Sequence, residues 1–316
     1  MQNKVDRQYL NILKDIKYNG IEKDTRSGKV LSVFGRTMRF NLNEGFPLLT
    51  TKKVFYRGII EELLWFLKGK SNIKYLVEKN VNIWNQDAFR YYKEVVKKHS
   101  NGKEVKLCKD IDTFLNSVKN GSIIHFKDGF TYEFGDLGNM YPTIWRHFGN
   151  NNIDQIQYVI DEIKNNPNSR RIVLTCYDPN SVSEAALYPC HILYEFNVGE
   201  DCDGNKRLNC LLNVRSNDWM LGNPYNIASA AFLTHMIAQV TDISVGELLY
   251  VGCDCHLYLN QMEAAEEQLS RSCSKYELPY LELNKDIKNI DDFRYEDFNI
   301  INYESYPSIK APLSVG

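Results

Sequence analysis

The sequence predicts an α+β fold in which helices flank one large mixed β-sheet. Segments with apolar residues at helical spacing are interleaved with shorter, alternating segments. Several predicted strands follow one another without an intervening helix, which indicates both parallel and antiparallel neighbours. No linker rich in Pro, Gly and Ser and no internal repeat divides the chain, so we predict a single domain over residues 1–316.

The individual elements follow from local spacing and end signals. Residues 7–18 carry apolar groups at helical spacing, and Gly20 follows as a stop signal. Residues 30–49 alternate and are punctuated by Gly and Pro, which is typical of strands and turns. Further helices are predicted over 57–67, 153–165, 226–241 and 260–271, and further strands over 172–177, 191–198, 208–216 and 248–255.

The helix over 57–67 contains two adjacent glutamates with different expected environments. Glu61 falls beside Arg57 and Lys68 on the helical wheel, whereas Glu62 falls among apolar residues. We therefore expect Glu61 to be solvated and paired. Partial burial would raise the pKa of Glu62 and suit it to proton exchange near neutral pH. A plain charge on the helix surface is the alternative for Glu62.

Residues 88–134 differ in composition from the rest of the chain. They are rich in lysine and then contain a short amphipathic helix over 110–119. We predict an inserted variable subdomain and assign no partner to its lysines, because such runs are most often solvated.

The composition of the chain argues against binding to nucleic acid or to a membrane. The chain has 38 basic and 40 acidic side chains, so no overall field favours nucleic acid or membrane. The N-terminus lacks the apolar run of a signal peptide, and we expect a cytoplasmic protein, in the host cytoplasm if the source is a virus. The eight cysteines are then expected to be reduced. Cys253 and Cys255 lack a second ligand pair, so no metal is expected.

A thiol on a rigid turn is the main candidate for chemistry. Cys190 follows Pro189, and a regular strand would place His191 on the opposite face. We therefore do not expect a Cys–His dyad. Arg215, on the next predicted strand, is the candidate activator because a cationic neighbour lowers a thiol pKa.

Other polar residues suggest binding roles. Arg170 and Arg171 are adjacent in a predicted strand opening, so one of them could meet an anion or another chain. His256 and Tyr258 share a strand face and could both bond a sugar hydroxyl. Arg26 lies in a polar loop that either forms a turn or presents the arginine to an anion.

Taken together, these residues resemble the thymidylate synthase family, which includes the deoxynucleotide hydroxymethylases. The resemblance covers nearly the whole chain outside 88–134. Its motifs, in the family's order and approximate spacing, are Glu62, Trp84, Tyr141, Ser169-Arg170-Arg171, Pro189-Cys190-His191, Arg215-Ser216-x-Asp218, Leu221-Gly222-x-Pro224-x-Asn226 and Asp254-x-His256-x-Tyr258.

The resemblance implies a homodimer, packed through its sheets, that binds dUMP and 5,10-methylenetetrahydrofolate. It implies that Arg26, Arg215 and Ser216 hold the phosphate together with Arg170 and Arg171 of the partner subunit. Planar guanidinium groups suit phosphate oxygens.

The resemblance also implies a covalent mechanism. Cys190 adds to C6 of the pyrimidine, Glu62 handles proton transfers, and Tyr141 assists loss of the C5 proton. His256 and Tyr258 bind the deoxyribose hydroxyl.

Base and folate recognition complete what the resemblance implies. Asn226 reads uracil, because its amide can donate to O4 and accept from N3–H, which favours dUMP over dCMP. Asp218 contacts the pterin, and Trp84, Asp87 and Gly222 belong to the folate side.

The sequence departs from the family pattern mainly on the folate side. Arg26 is displaced by one position, Pro142 and Ile144 replace the usual glycine and glutamine, Asp87 replaces a second tryptophan, and the chain runs one residue longer to Gly316. A polar Asp87 and an altered C-terminus could admit water, so hydroxymethylation of dUMP is the alternative to methylation. A catalytically silent nucleotide-binding protein would have no need for Cys190 with Glu62 and Tyr141.

Overall fold

The computed structural model describes residues 3–100 and 108–313. Its strands are β1 Ile21–Thr25, β2 Gly28–Asn41, β3 Ile123–His125, β4 Thr131–Glu133, β5 Val173–Thr175, β6 His191–Glu200, β7 Lys206–Asp218, β8 Ser244–Tyr258, β9 Tyr280–Leu283 and β10 Phe298–Ile301. Its helices are α1 Lys4–Asn19, α2 Tyr56–Leu67, α3 Lys74–Glu78, α4 Asn85–His99, α5 Ile111–Lys119, α6 Tyr141–Arg146, α7 Gln155–Asn165, α8 Gly222–Val240 and α9 Met262–Leu269.

A six-stranded mixed sheet organises the molecule. Its strand order is β1-β2-β8-β7-β6-β5. Strands β7 and β8 are parallel, and the other neighbours are antiparallel. Helix α8 connects the two parallel strands, as a parallel connection requires. The predicted α+β fold with a mixed sheet is therefore confirmed.

Helix α8 lies in the centre of the core, where it contacts β7, β8 and α2. Its sequence is apolar on nearly all sides, which is typical of a helix buried all round. Strand β7 alternates buried residues such as Leu208, Leu212 and Val214 with half-buried ones. One face of the sheet thus packs on helices.

The other face of the sheet is less covered. It carries half-buried apolar residues on the three central strands β6, β7 and β8, which include Leu193, Leu211, Leu249 and Val251. The strand register places residues of this face next to each other, and Leu211 pairs with Leu249.

A buried carboxylate fixes the N-terminal helix. Asp6 accepts hydrogen bonds from the N–H and hydroxyl of Thr50, at 2.9 and 2.8 Å, and from the N–H of Thr51 at 3.0 Å. Because these donors lie in the segment that precedes α2, α1 is tied to the entry of that helix.

The predicted insertion starts inside helix α4, and its predicted short helix is found as α5. Helices α4 and α5 share an aromatic cluster with β4, formed by Phe89, Tyr92, Phe114, Tyr132 and Phe134. Residues 101–107 lie outside the described part. That 88–134 is a variable insertion in a single domain stays a prediction.

Two local features bear on the sequence expectations: one matches an alternative given for the polar loop, and the other differs in where a helix begins. The polar loop at Asp24–Gly28 is the turn of the β1–β2 hairpin, in which Thr25 pairs with Gly28. Helix α8 begins at Gly222, four residues before its predicted start. Within the described residues, no helix is both long and apolar enough to cross a membrane.

Candidate active site

Cys190 lies on a bend directly before β6, and Arg215 of β7 holds the chain that carries it. The Arg215 Nη2 donates to the carbonyl of Tyr188 at 2.8 Å, and its Nε donates to the carbonyl of Pro189 at 2.9 Å. The Arg215 N–H donates to the carbonyl of Cys190 at 2.9 Å. One arginine therefore fixes three successive peptide units.

Four charged side chains act on the pKa of the Cys190 thiol. Burial raises the pKa of the thiol, whereas Arg215 and Arg26 lower it, and Asp87 and Asp218 raise it. All four are residues that the sequence nominated. Arg215 and Arg26 favour the thiolate, which is the reactive form.

Tyr141, the first residue of α6, contacts the same bend. Its hydroxyl oxygen accepts the N–H of Cys190 at 2.6 Å and that of His191 at 3.3 Å. Burial keeps the pKa of Tyr141 well above its ordinary value, so the group stays a neutral phenol. Pro142 fits the first turn of this helix, where its missing N–H and fixed φ are tolerated.

Glu62 of helix α2 is linked to Tyr141 through Trp84, whose ring meets that of Tyr141 at 6.4 Å. It is buried, and its Oε1 accepts the indole N–H of Trp84 at 2.7 Å. Burial raises the pKa of Glu62 to about 7, although the Trp84 hydrogen bond lowers it. The carboxyl group can therefore exchange a proton near neutral pH.

The expectation that Glu61 is solvated was wrong. Glu61 is only 2% exposed, its carboxylate accepts the Tyr75 hydroxyl, and Lys79 Nζ lies 3.9 Å away. Residues of α3 cover this face of α2, so the partners differ from the two cations on its own helix. A helical wheel shows which residues of one helix are neighbours, and it does not show which residues of other elements pack against them.

The side chain of His191 has partners on β6 and α8, and the described contacts include none with the Cys190 thiol. The register of β6 shifts between His191 and Leu193, so a β-bulge breaks the alternation. His191 Nε2 donates to Asn226 Oδ1 at 2.8 Å, and the Tyr194 hydroxyl donates to His191 Nδ1 at 3.1 Å. Burial lowers the pKa of His191 to about 4, so the imidazole is neutral.

Asp218 links β7 to the start of α8 and to the C-terminal segment. Its Oδ1 accepts the N–H groups of Met220 and Leu221, at 2.9 and 3.0 Å. Gln261 Nε2 donates to Asp218 Oδ2 at 3.2 Å and to the carbonyl of Pro312 at 3.0 Å. Gly316 lies outside the described residues.

Gly222 lies beside this carboxylate. A Cβ at Gly222 would contact the side chains of Asp218 and Asn226, at 3.8 and 4.0 Å. The absence of a side chain therefore leaves space between two candidate ligand-binding groups.

The end of β8 continues the same site. The rings of His256 and Tyr258 meet edge to face at 5.3 Å, and His256 Nδ1 lies 3.0 Å from Asp254 Oδ1. Ser216 pairs with Asp254 across β7 and β8. Burial raises the pKa of Tyr258, although a hydrogen bond with Ser27 lowers it.

Arg170 and Arg171 do not join this group within the chain. Both are exposed and precede β5. The carbonyl of Ile172 accepts the N–H of Phe196, six residues along β6 from Cys190. At the rise of an antiparallel strand this corresponds to roughly 20 Å.

Two residues of the site were not nominated by the sequence: Gln261 and Arg90. Arg90 lies three residues after Asp87 and pairs with it at 3.1 Å, a helical spacing that could have revealed it. Nothing local to Gln261 predicts its contact with Asp218, which is 43 residues away.

Comparison with known proteins identifies the family. The family model described as thymidylate synthase matches residues 7–315. The chain belongs to the thymidylate synthase family. A relative from Mycoplasma mobile named thymidylate synthase is 45% identical over 309 residues, which cover 98% of this chain and 99% of the relative. Another, from Malacoplasma penetrans, is 41% identical over 312 residues, which cover 98% of this chain and 100% of the relative.

In the described part of the chain, no group of three or more His, Cys, Asp or Glu side chains is arranged to hold a metal ion.

Proposed function

We propose that the protein is a cytoplasmic enzyme that methylates dUMP at C5, with 5,10-methylenetetrahydrofolate as co-substrate, to give dTMP and dihydrofolate. The observation that carries the proposal is Cys190, whose backbone is held by Arg215 and Tyr141 and whose thiol pKa is lowered by the charges of Arg215 and Arg26. The two relatives named thymidylate synthase support methylation rather than hydroxymethylation.

Cys190 is the nucleophile in this proposal. Its thiolate forms a bond to C6 of the uracil, and the electron pair of the C5–C6 double bond moves to C5 and O4. C5 then bonds to the one-carbon unit and loses its proton, and the bond from that carbon to the folate nitrogen breaks to leave an exocyclic methylene. Hydride from tetrahydrofolate adds to this methylene, the C5–C6 double bond returns, and the S–C6 bond breaks to release Cys190. The folate supplies the carbon and the hydride that reduces it.

Glu62 and Tyr141 manage protons. With a pKa of about 7, buried Glu62 can accept and return a proton through ordered water at neutral pH. The neutral phenol of Tyr141 already accepts two backbone N–H groups, so its own O–H is the donor toward substrate or water. Tyr141 therefore assists loss of the C5 proton by orienting the base.

Asn226 selects the base. The neutral His191 donates to Asn226 Oδ1 and thereby fixes the orientation of the amide. Nδ2 then faces the position where uracil presents O4, an acceptor. Cytosine presents an amino donor at that position, so dUMP is preferred to dCMP.

The phosphate is assigned to arginines and a serine. Arg215 uses Nε and Nη2 on backbone carbonyls, so Nη1 is the nitrogen that we assign to phosphate, with Arg26 and Ser216 beside it. His256 and Tyr258 then meet the deoxyribose hydroxyl.

Arg170 and Arg171 are assigned to the site of a second copy. They lie roughly 20 Å from their own Cys190 at the strand rise. The open sheet face, with half-buried Leu211, Leu249 and Val251, is the surface through which we infer that two copies pack.

The folate side fits the chain's residues. Trp84 offers an aromatic wall, Gly222 leaves space, and Asp218 offers a carboxylate fixed by Gln261. Asp87 is half-buried and paired with Arg90, so it contributes an ion pair and not a free charge.

The test is product analysis with purified protein, dUMP and 5,10-methylenetetrahydrofolate, with Cys190→Ser as the matched control. We expect dTMP and dihydrofolate in equal amounts from the wild type and neither from the variant. Hydroxymethyl-dUMP with tetrahydrofolate would contradict methylation. We also expect 5-fluoro-dUMP and the folate to form a covalent adduct on Cys190 by mass spectrometry, and its absence would exclude both enzymatic activities.

A further inference from the structure

Helix α4, in which the inserted segment begins, contacts the chain that leads into Cys190. The Tyr91 hydroxyl donates to the carbonyl of Glu184 at 2.6 Å, and Arg90 Nη2 donates to the carbonyl of Ala186 at 2.6 Å. These carbonyls lie six and four residues before Cys190. We propose that Arg90 is a positioning residue of the active site: it holds the segment before Cys190 and compensates the charge of Asp87. This proposal rests on the proposed function, in which Cys190 is the nucleophile.

Arg90 is oriented before any substrate binds. Its Nη1 lies 2.9 Å from Glu94 Oε1, and its Nη2 lies 3.1 Å from Asp87 Oδ1. Both carboxylates belong to the same helix, three residues before and four after, so they fix the guanidinium without help from the loop. Its side chain is 18% exposed, and the loop carbonyl therefore meets a preorganised donor.

The held segment is also fixed from its other side. The Ala186 N–H donates to the carbonyl of Leu137 at 2.8 Å. Gly138 has a φ of +71°, and a Cβ there would lie 2.1 Å from the carbonyl oxygen of Glu184. The chain passes so close at this point that only glycine fits.

Arg90 and Arg215 therefore hold the two ends of one short segment. Arg90 bonds the carbonyl of Ala186, and Arg215 bonds those of Tyr188 and Pro189. A displacement at either end moves the thiol, and a displacement of about 1 Å can slow a reaction about a hundredfold.

Arg90 also compensates the negative charge of Asp87, which acts on the Cys190 thiol. The charged groups that bear on the Cys190 thiol are Arg215, Arg26, Asp87 and Asp218. Asp87 raises the pKa of the thiol, and Arg90 is its ion-pair partner. Without Arg90 the carboxylate of Asp87 is uncompensated, which disfavours the thiolate further.

The experiment compares Arg90→Met and Arg90→Lys with Arg207→Met, which removes another ion-paired arginine at the far end of β7. The main quantities are the rate of 5-fluoro-dUMP adduct formation with the folate and the pH midpoint of Cys190 alkylation by iodoacetamide, which is followed by peptide mass spectrometry. The KM for dUMP is measured as well. We expect Arg90→Met to slow adduct formation about tenfold or more, with little change in KM for dUMP, and to move the alkylation midpoint to higher pH. Arg90→Lys keeps the charge and should recover most of the midpoint shift, and Arg207→Met should leave both quantities unchanged.

If Arg90→Met does not fold, Tyr91→Phe is a milder variant, because it removes only one hydrogen bond to the same segment. We expect it to slow adduct formation and to leave the alkylation midpoint unchanged. A wild-type adduct rate and midpoint in Arg90→Met, or a slow adduct with an unmoved midpoint, would overturn the proposal. Alkylation needs no substrate, so absence of any adduct in the wild type would refute the proposed function while the midpoint still decides the role of Arg90.

Discussion

The hydroxyl oxygen of Tyr141 accepts the backbone N–H of Cys190 at 2.6 Å. It also accepts the N–H of His191, so Tyr141→Phe leaves two N–H groups without their acceptor. We expect a loss of about 1–3 kcal/mol in the free energy of unfolding. Adduct formation with 5-fluoro-dUMP should also slow, because the thiol loses its fixed position.

The matched control for this variant is Tyr92→Phe. The Tyr92 hydroxyl accepts the N–H of Cys108 at 3.1 Å, so the same type of hydrogen bond is lost away from the thiol. Equilibrium unfolding in urea should show losses in both variants, whereas the adduct rate should fall only for Tyr141→Phe. Equal adduct rates in the two variants would show that the contact is structural alone.

Glu62→Gln should increase stability at alkaline pH while it abolishes turnover. The folded pKa of Glu62 is about 7 against 4.5 for the ordinary group, so between these values the folded protein binds a proton that the unfolded chain has released. The contribution of Glu62 to stability therefore falls as pH rises through this window. Above it, the buried carboxylate costs about 3 kcal/mol relative to its exposed form.

Glutamine keeps an acceptor for Trp84 but has no proton to lose. Unfolding in urea at about pH 8 and about pH 4 should show the variant more stable than the wild type at the higher pH only. Turnover should fall about 100- to 10,000-fold. A stability difference that does not change with pH would refute the raised pKa.

Trp84→Phe should move the pH profile of the enzyme. The indole N–H donates to Glu62 at 2.7 Å and lowers its pKa, so its removal should raise that pKa above about 7. Since proton transfer needs the carboxylate, the acidic limb of kcat should shift to higher pH. Trp65→Phe is the control, because its N–H donates to the carbonyl of Asn72 instead, and it should leave the limb unmoved.

Elements with a strong local pattern could be predicted from the sequence. The helix over 57–67 and the central strands carry strong periodicity, so the mixed sheet could be predicted, and the resemblance named residues that the structure brings around Cys190. The contact between His191 and Tyr194 could not be predicted, because a bulge after His191 brings two residues of opposite parity to the same face. The burial of Glu61 could not be predicted, since Tyr75 of α3 and Lys79, directly after α3, reach it from another part of the chain.

Asn226→Asp should weaken the preference for dUMP over dCMP. A carboxylate retains an acceptor toward His191 but loses the Nδ2 donor that matches uracil O4, and it can accept from the cytosine amino group. The ratio of the dissociation constants for the two nucleotides, measured by calorimetry, should fall by at least about tenfold. An unchanged ratio would mean that another group reads the base.

Mixed dimers can decide whether Arg170 and Arg171 serve the partner's site. One chain carries Cys190→Ser and the other carries Arg170→Ala with Arg171→Ala, and two affinity tags allow the mixed dimer to be purified. If the arginines cross the interface, one site has both defects and the other has neither. The mixed dimer should then regain about half of the wild-type activity, since one of its two symmetric sites is intact.

The alternative gives the opposite result. If each arginine pair served its own chain, one site would lack the thiol and the other would lack the arginines, so the mixed dimer would be no more active than the two parent variants at low dUMP. A mixed dimer of Cys190→Ser with the wild type is the control and should keep about half of the activity in either case. The register of β5 on β6, which separates Arg171 from its own Cys190, leads us to expect complementation.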